Sequence, residues 1–246
     1  MSISAIEGSK AGQKSFEHLL GLPDLCTYDT IFKNKHNFNW FAAVMKENDY
    51  GTLQIDEKLA LKNLKTLKKN NTYVCPTLVV WYNYFHPDTL FENNPLINKM
   101  PKEVTEFWQK EIEKYRKKDF SYKNMALSKY NTIKKVTNLI YKAGVPMITG
   151  TDVINPYCYP GFSLHDEFEL LAACGIPNSA ILKMATYNPA SFFHLKDHGL
   201  IKEGYVASIV LLNENPLNDI KNTLNINTVI IKGKVLNEVI LNKMKN

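Results

Sequence analysis

The chain has 246 residues, 45% of them hydrophobic and 22% charged, which is ordinary globular usage and excludes a disordered tail, a collagen-like repeat and a disulfide-built mini-protein. Thirty Lys+Arg stand against 24 Asp+Glu for a net charge of +6, but Arg116 is the only arginine and the lysines are spread along the chain. This basicity lacks the clustered patch that nucleic-acid binding uses, and without an apolar run of about 18 residues or a signal-peptide core no membrane role is expected, with a cytoplasmic location as the default.

In chain order, residues 3–12 read as the closing turns of a helix, because Gly12 follows the periodic stretch; the chain is thus expected to open inside an element. Residues 14–19 form a short strand, and 24–48 are aromatic-rich and irregular with helical pieces. Leu59, Leu61, Leu64 and Leu67, separated by lysines, predict an amphipathic helix over 54–70. Residues 72–81 (TYVCPTLVVW) are β-branched and apolar, like a strand buried on both faces. Pro76 stops that strand, since proline has no N–H to donate to a ladder.

After an excursion over 82–100, charged and amphipathic patterns predict helices over about 102–118 and 124–143. Residues 145–150 (VPMITG) form a short apolar strand leading into Thr151-Asp152. A helix over 163–174 opens with a capping-box-like pair, Ser163 and Asp166, and a second helix is expected over 179–194. Beyond Gly204 the style changes to short β segments, 207–212, 228–232 and 234–236, with Gly233 as the turn between the last two.

Strands alternating with helices predict βα units and a parallel sheet. A length of about 250 residues suits one whole (β/α)₈ barrel, yet only three βα units begin here, at Lys14, Thr72 and Val145. Long helical insertions and the β tail make up the remainder. Cys26, Cys75, Cys158 and Cys174 show no metal-ligand spacing and are expected to be reduced and packed.

In parallel α/β sheets the functional side chains sit at the carboxyl ends of strands. His18 ends the first expected strand and Asp152 the third. A histidine and an aspartate on one rim are ligands for a zinc-type metal, and an aspartate beside activated water can take its proton. Plainer alternatives are a structural histidine after Glu17 and a common Gly-Thr-Asp loop. His194 and His198 have the i, i+4 spacing of a helical chelate, but no glutamate follows His194 and Asp197-His198-Gly199 reads as a helix exit, so no metal is expected there. His36 and His86 read as packing or surface residues, and Trp81, Tyr82, Tyr84 and Phe85 as pocket lining or core filling.

The runs KSFEHL, PTLVV, GVPMITGTD, SLHDEFELLAACGIPNSAILKMATYNPASFF and GLIKEGYVASIVLLNENPLNDI, in that order, resemble the second half of the metal-dependent amidohydrolase superfamily, nearest in pattern to its imidazolonepropionase and prolidase-like members. The resemblance covers most of the chain outside about 24–70 and 82–130, and it is most specific from Asn188-Pro189-Ala190 into the β tail. It implies an α/β fold: a partial (β/α)₈ TIM barrel, strands 6–8 with their helices, over residues 1–199, and C-terminal strands of a small β-sandwich over 200–246.

The family holds one or two divalent metals, with zinc expected, at the barrel mouth. Ser15-Phe16-Glu17-His18 matches the S-x-E-H pattern that makes His18 a metal ligand, and Gly150-Thr151-Asp152 matches the motif whose aspartate, Asp152, binds metal and shuttles the proton. Ser163 to Leu170 matches S-L-H-x-E-x-E-L, which implies that His165 touches substrate near the mouth; the alternative is a solvent-facing histidine at a helix start. The family's first-strand H-x-H pair, its strand-four lysine or glutamate and its strand-five histidine have no counterpart, and H-x-H occurs nowhere in the chain. Ser208 and Tyr205 stand where the tail motif has Asp and Lys.

The expected function is therefore that of a metal-dependent hydrolase of C–N bonds other than classical peptide bonds, in cyclic amides, amides or small dipeptide-like substrates, present as a C-terminal fragment with an incomplete metal site. The alternative is a non-catalytic truncated or split half that needs an N-terminal half or self-association, because strands cut from a barrel leave unpaired edges.

Overall fold

The computed structural model describes residues 3–28, 53–86 and 94–245. His36 and most of the irregular stretch expected over 24–48 lie outside the described residues, as does part of the excursion over 82–100.

Helix α1 (Ala5–Lys10) carries its own start: the Ser4 hydroxyl accepts from the Glu7 amide, and the Glu7 carboxylate accepts from the Ser4 amide at 2.9 Å. This reciprocal pair satisfies first-turn donors, so α1 is a complete short helix and not the closing turns of a longer one. Strand β1 (Ser15–Glu17) follows, then a 3₁₀ turn (Pro23–Cys26). Helix α2 (Glu57–Lys69) is capped by Asp56 and buries Ala60, Leu64 and Leu67 at i, i+4, i+7 spacing.

Strand β2 (Tyr73–Cys75) is buried throughout and pairs in parallel with β1, with Phe16 opposite Val74. On its other side Val74 bridges Met147: the Val74 amide donates to Pro146 O and the Ile148 amide to Val74 O, both at 3.0 Å. The segment 145–150 thus takes the third place in the sheet through a single bridge, a narrower pairing than the expected strand. Pro146 has no N–H, and the far edge is covered by helices instead of a strand. Thr149 N donates to Met184 O at 3.1 Å, and Asn188 Nδ2 to Met147 O at 2.7 Å. Gly150 permits the approach, because a Cβ there would lie 2.6 Å from Cys75 Sγ.

The strand expected over 72–81 ends at Cys75, and Leu78 onward is a helix, α3 (Leu78–Phe85), with seven of its eight residues buried. A continuous apolar run fits a buried strand or a buried helix equally. Packing of α3 against α5 (Phe120–Lys142) and α6 (Ser163–Ala173) decides between them. Between these lies α4 (Lys102–Arg116). The expected capping box of α6 does not form: its N-terminus has no side-chain cap, and the Ser163 hydroxyl accepts from Tyr159 N at 2.9 Å.

The helix expected over 179–194 is two helices, α7 (Asn178–Ala185) and α8 (Tyr187–Phe192), separated at Thr186. Pro189 accounts for the break, since it lacks an N–H and its ring crowds the carbonyl four residues earlier. The tail is an antiparallel sheet of β3 (Ile209–Leu212), β4 (Ile226–Ile231) and β5 (Lys234–Leu236) in that order. Left-handed Lys232 and Gly233, at φ 50° and 84°, make the tight β4–β5 turn. A last helix, α9 (Glu238–Lys245), was not expected from the pattern. All four cysteines are buried and none is in a disulfide.

Trp108 ties α4 to the loop that follows Asp152. Its side chain is fully buried, Nε1 donates to Ile154 O at 3.0 Å, and its ring lies edge-on to Tyr159 at 5.3 Å. Trp108→Ala is expected to destabilise the protein by about 3–5 kcal/mol, and Trp108→Phe, which loses the hydrogen bond and part of the ring volume, by about 1–3 kcal/mol. Urea unfolding of the two variants checks the ordering.

Candidate active site

The parallel pairing brings the ends of β1, β2 and 145–150 to one side of the sheet. His18 leaves β1 with its amide donating to Cys75 O at 2.9 Å, and Trp81 Nε1 donates to its carbonyl at 3.2 Å. Its ring has Thr77 Oγ1 at 2.7 Å from Nδ1 and Asp152 Oδ2 at 3.6 Å from Nε2. Asp152 is held in turn by Asn155, whose Nδ2 donates to Oδ2 at 2.7 Å and to the Asp152 carbonyl at 2.9 Å. The His18 and Asp152 side chains keep 30% and 41% of their exposure, so a small molecule can reach both.

Strain concentrates at these strand ends. His18, Leu19, Thr77 and Asp152 have φ of 59°, 60°, 49° and 49°, in the left-handed region that non-glycine residues avoid and a β-branched threonine avoids most. Each such residue costs roughly 1–3 kcal/mol and persists only where surrounding packing over-determines it.

The spacing of the pair fits a divalent metal. Two ligands on one tetrahedral ion, at about 2.0–2.2 Å each, lie about 3.3–3.5 Å apart, close to the observed 3.6 Å. The set is short: among the described residues no group of three or more His, Cys, Asp or Glu side chains is placed to hold a metal, and catalytic zinc sites use three protein ligands.

His165 stands apart from this pair in its contacts. It lies in the first turn of α6, with Nδ1 at 2.8 Å from Thr223 Oγ1 in the 3₁₀ turn Ile220–Leu224 and its ring edge-on to Phe168. Burial lowers its pKa. His198 Nδ1 lies 2.7 Å from Asp197 Oδ1, and His194 and His198 line an open depression of about 280 Å³ with Tyr187, Ser191, Lys196 and Tyr205. Of the aromatic group on α3, Trp81 reaches His18, whereas Tyr82 packs on Tyr130 and Tyr84 on Tyr115.

Two supporting residues were not singled out in the sequence. Thr77 had a signal, as the polar residue just past a strand-ending proline. Glu167 had one too, as a fixed glutamate of the matched S-L-H-x-E-x-E-L run, although a glutamate in a helical pattern otherwise reads as solvated. Glu167 is fully buried on α6, and its Oε2 accepts from Val79 N at 2.9 Å, capping the first turn of α3 directly after Thr77. Its Oε1 has no hydrogen-bond partner among the described residues. Burial pushes its pKa up to about 8, against the opposing pull of the Leu78 and Val79 amides.

The amidohydrolase family model matches residues 84–236. An adenine deaminase 2 of Oenococcus oeni (strain ATCC BAA-331 / PSU-1) is 32% identical over 100 residues, 39% of this chain and 17% of that protein. Among solved structures, a bottromycin amidohydrolase superposes with a TM-score of 0.70 at 17% identity, covering 98% of this chain and 49% of the other. A Xaa-Pro dipeptidase with methionine bound in its active site superposes at 0.55 and 20% identity, covering 94% of this chain and 42% of the other. The chain therefore spans less than half the length of each of these proteins. The structural likenesses support an α/β amidohydrolase-type fold.

Glu167 gives the support of this site a pH signature. A carboxyl whose folded pKa is raised from 4.5 to about 8 binds more protons in the folded state than in the unfolded one between those values. The contribution of Glu167 to stability is then fully present below about pH 4.5 and is lost as pH rises towards 8, by on the order of a few kcal/mol. Glu167→Gln, which keeps an acceptor for Val79 N and has no charge to bury, is expected to flatten that slope. Urea unfolding across this pH range, wild type against variant, measures it.

Proposed function

The chain belongs to the amidohydrolase family, and from that premise we propose that it carries part of the centre of a metal-dependent hydrolase of C–N bonds. The observation behind this is the approach of His18 Nε2 and Asp152 Oδ2 to 3.6 Å at the carboxyl ends of parallel strands. Members of this family generally bind divalent metals; zinc is the ion proposed here, with His18 Nε2 and Asp152 as its ligands in this chain. When bound, such a metal polarises the scissile carbonyl and lowers the pKa of the attacking water.

Asp152 takes the proton from that water and returns it to the leaving nitrogen as the C–N bond breaks. Asn155 holds the Asp152 carboxylate in place through this transfer. His165 is kept as a candidate substrate contact. The substrate class is cyclic amides, amides or dipeptide-like molecules, and the adenine deaminase relative adds adenine to those worth testing.

Two ligands do not complete a catalytic set, and further donors are proposed to come from beyond the described residues: from elsewhere in this chain, from an N-terminal half, or from a second copy of the chain. Exposed Val210 and Ile231 on one face of the tail sheet, and Leu211 and Val235 on the other, favour this association reading, because exposed apolar sheet surface calls for cover. No described helix is long and apolar enough to cross a membrane.

Protein supplied with zinc, manganese or cobalt is to be assayed on N-acyl amino acids, X-Pro dipeptides, a cyclic amide and adenine. Asp152→Asn is expected to lower any turnover by about 10²-fold or more. In calorimetry the chain by itself is expected to bind zinc only weakly. A sub-micromolar stoichiometric site abolished by His18→Ala would show instead that the chain completes its own ligand set. A stable cooperative monomer in light scattering would count against the association reading.

A further inference from the structure

We propose that Thr77 is the positioning residue that fixes His18 in its Nδ1–H tautomer, leaving Nε2 as a bare acceptor that faces Asp152. The use of that lone pair rests on the metal reading above; the tautomer itself does not.

The hydrogen-bond geometry sets the direction. The Thr77 hydroxyl donates its one proton to Pro76 O at 2.8 Å. Its oxygen is thus the acceptor in the 2.7 Å contact with His18, so Nδ1 carries the hydrogen. Which imidazole nitrogen is protonated follows from the hydrogen bond the other makes, and such a partner orients a metal-binding histidine. The far side of the ring agrees. Nε2 and Asp152 Oδ2 are 3.6 Å apart, beyond hydrogen-bond range, and Oδ2 already accepts from Asn155. Two acceptors facing each other at that distance suit a shared cation and not a shared proton.

Thr77 can perform this task because it cannot turn away. It is buried in left-handed backbone at the start of α3, and its carbonyl accepts from Val80 N at 3.2 Å. The next turn is anchored by buried Glu167 through Val79 N. The His18 backbone has separate anchors in Cys75 O and Trp81 Nε1. Removing the hydroxyl therefore frees the ring without freeing the chain.

The test is long-range ¹H–¹⁵N correlation on histidine-labelled, metal-free protein at one fixed alkaline pH, with His18→Ala assigning the resonance. Wild type and Thr77→Ser are expected to show Nδ1–H. Thr77→Val, isosteric but without the hydroxyl, is expected to shift the ring to Nε2–H or to a mixture. Thr77→Gly removes the hydroxyl where the left-handed backbone favours glycine, and covers the case in which the valine variant does not fold. An Nε2–H pattern in wild type, or an unchanged Nδ1–H pattern in the valine or glycine variant, overturns the assignment.

Zinc added to the same samples separates the two readings. The Nε2 resonance of wild type is expected to move, at zinc concentrations about 10–100-fold lower than in Thr77→Val. A wild-type resonance still unmoved at millimolar zinc, where even a weak two-ligand site fills, overturns the metal role of His18, while the tautomer pattern still decides the role of Thr77.

Discussion

Strand β2 is hydrogen-bonded on both sides, to β1 and to residues 145–150, and the site follows from that double pairing. Because all three segments run parallel, their carboxyl ends emerge together, which places His18, Thr77 and Asp152 within reach of one another. The short strands have little margin. Pro76 ends the central ladder, Pro146 removes a donor from its neighbour, and Gly150 lets that neighbour close on Cys75. A side chain at Gly150 would press on the place from which Asp152 departs.

The helical core does the holding that three-residue strands cannot. Helix α3 lies between α5 and α6, takes a cap from buried Glu167, and presents Thr77 and Trp81 to His18. On the other side Trp108 of α4 receives the loop beyond Asp152. Left-handed backbone at three strand ends is sustained by this packing, and it aims short side chains into one space that relaxed strand exits would disperse. The cost is concentrated where the chemistry is proposed, as in other functional sites.

Among the described residues the proposed ligand pair stands alone and the tail sheet is open. A barrel gathers ligands from many strand ends, and a sandwich buries the inner face of each sheet against another. Here the edge of 145–150 is covered by Met184 O and Asn188, whereas β3–β5 display Val210, Leu211, Ile231 and Val235. The outer edge of 145–150 is thus hydrogen-bonded to α7 and α8, whereas the tail sheet keeps apolar side chains exposed on both faces.

The amino-acid pattern determined the alternation of helices with short strands, the helix over 57–69 from its leucines, the hairpin at Gly233, and two ionisable residues at strand ends, since each is written in local period or local chemistry. Even there it misjudged 78–85, because an apolar run has no period to separate a buried helix from a buried strand. It also joined α7 to α8 across Thr186 by giving periodicity more weight than Pro189. What only the tertiary structure decided are relations across distance. Thr77 meets the ring of a histidine 59 positions away, Glu167 caps a helix 88 positions away, and His165 turns to Thr223 in the tail, 58 positions on. A hydroxyl or carboxyl does not show in sequence which remote group will share its burial. That pairing is fixed when the core closes, and here it sets which nitrogen of His18 is left to act.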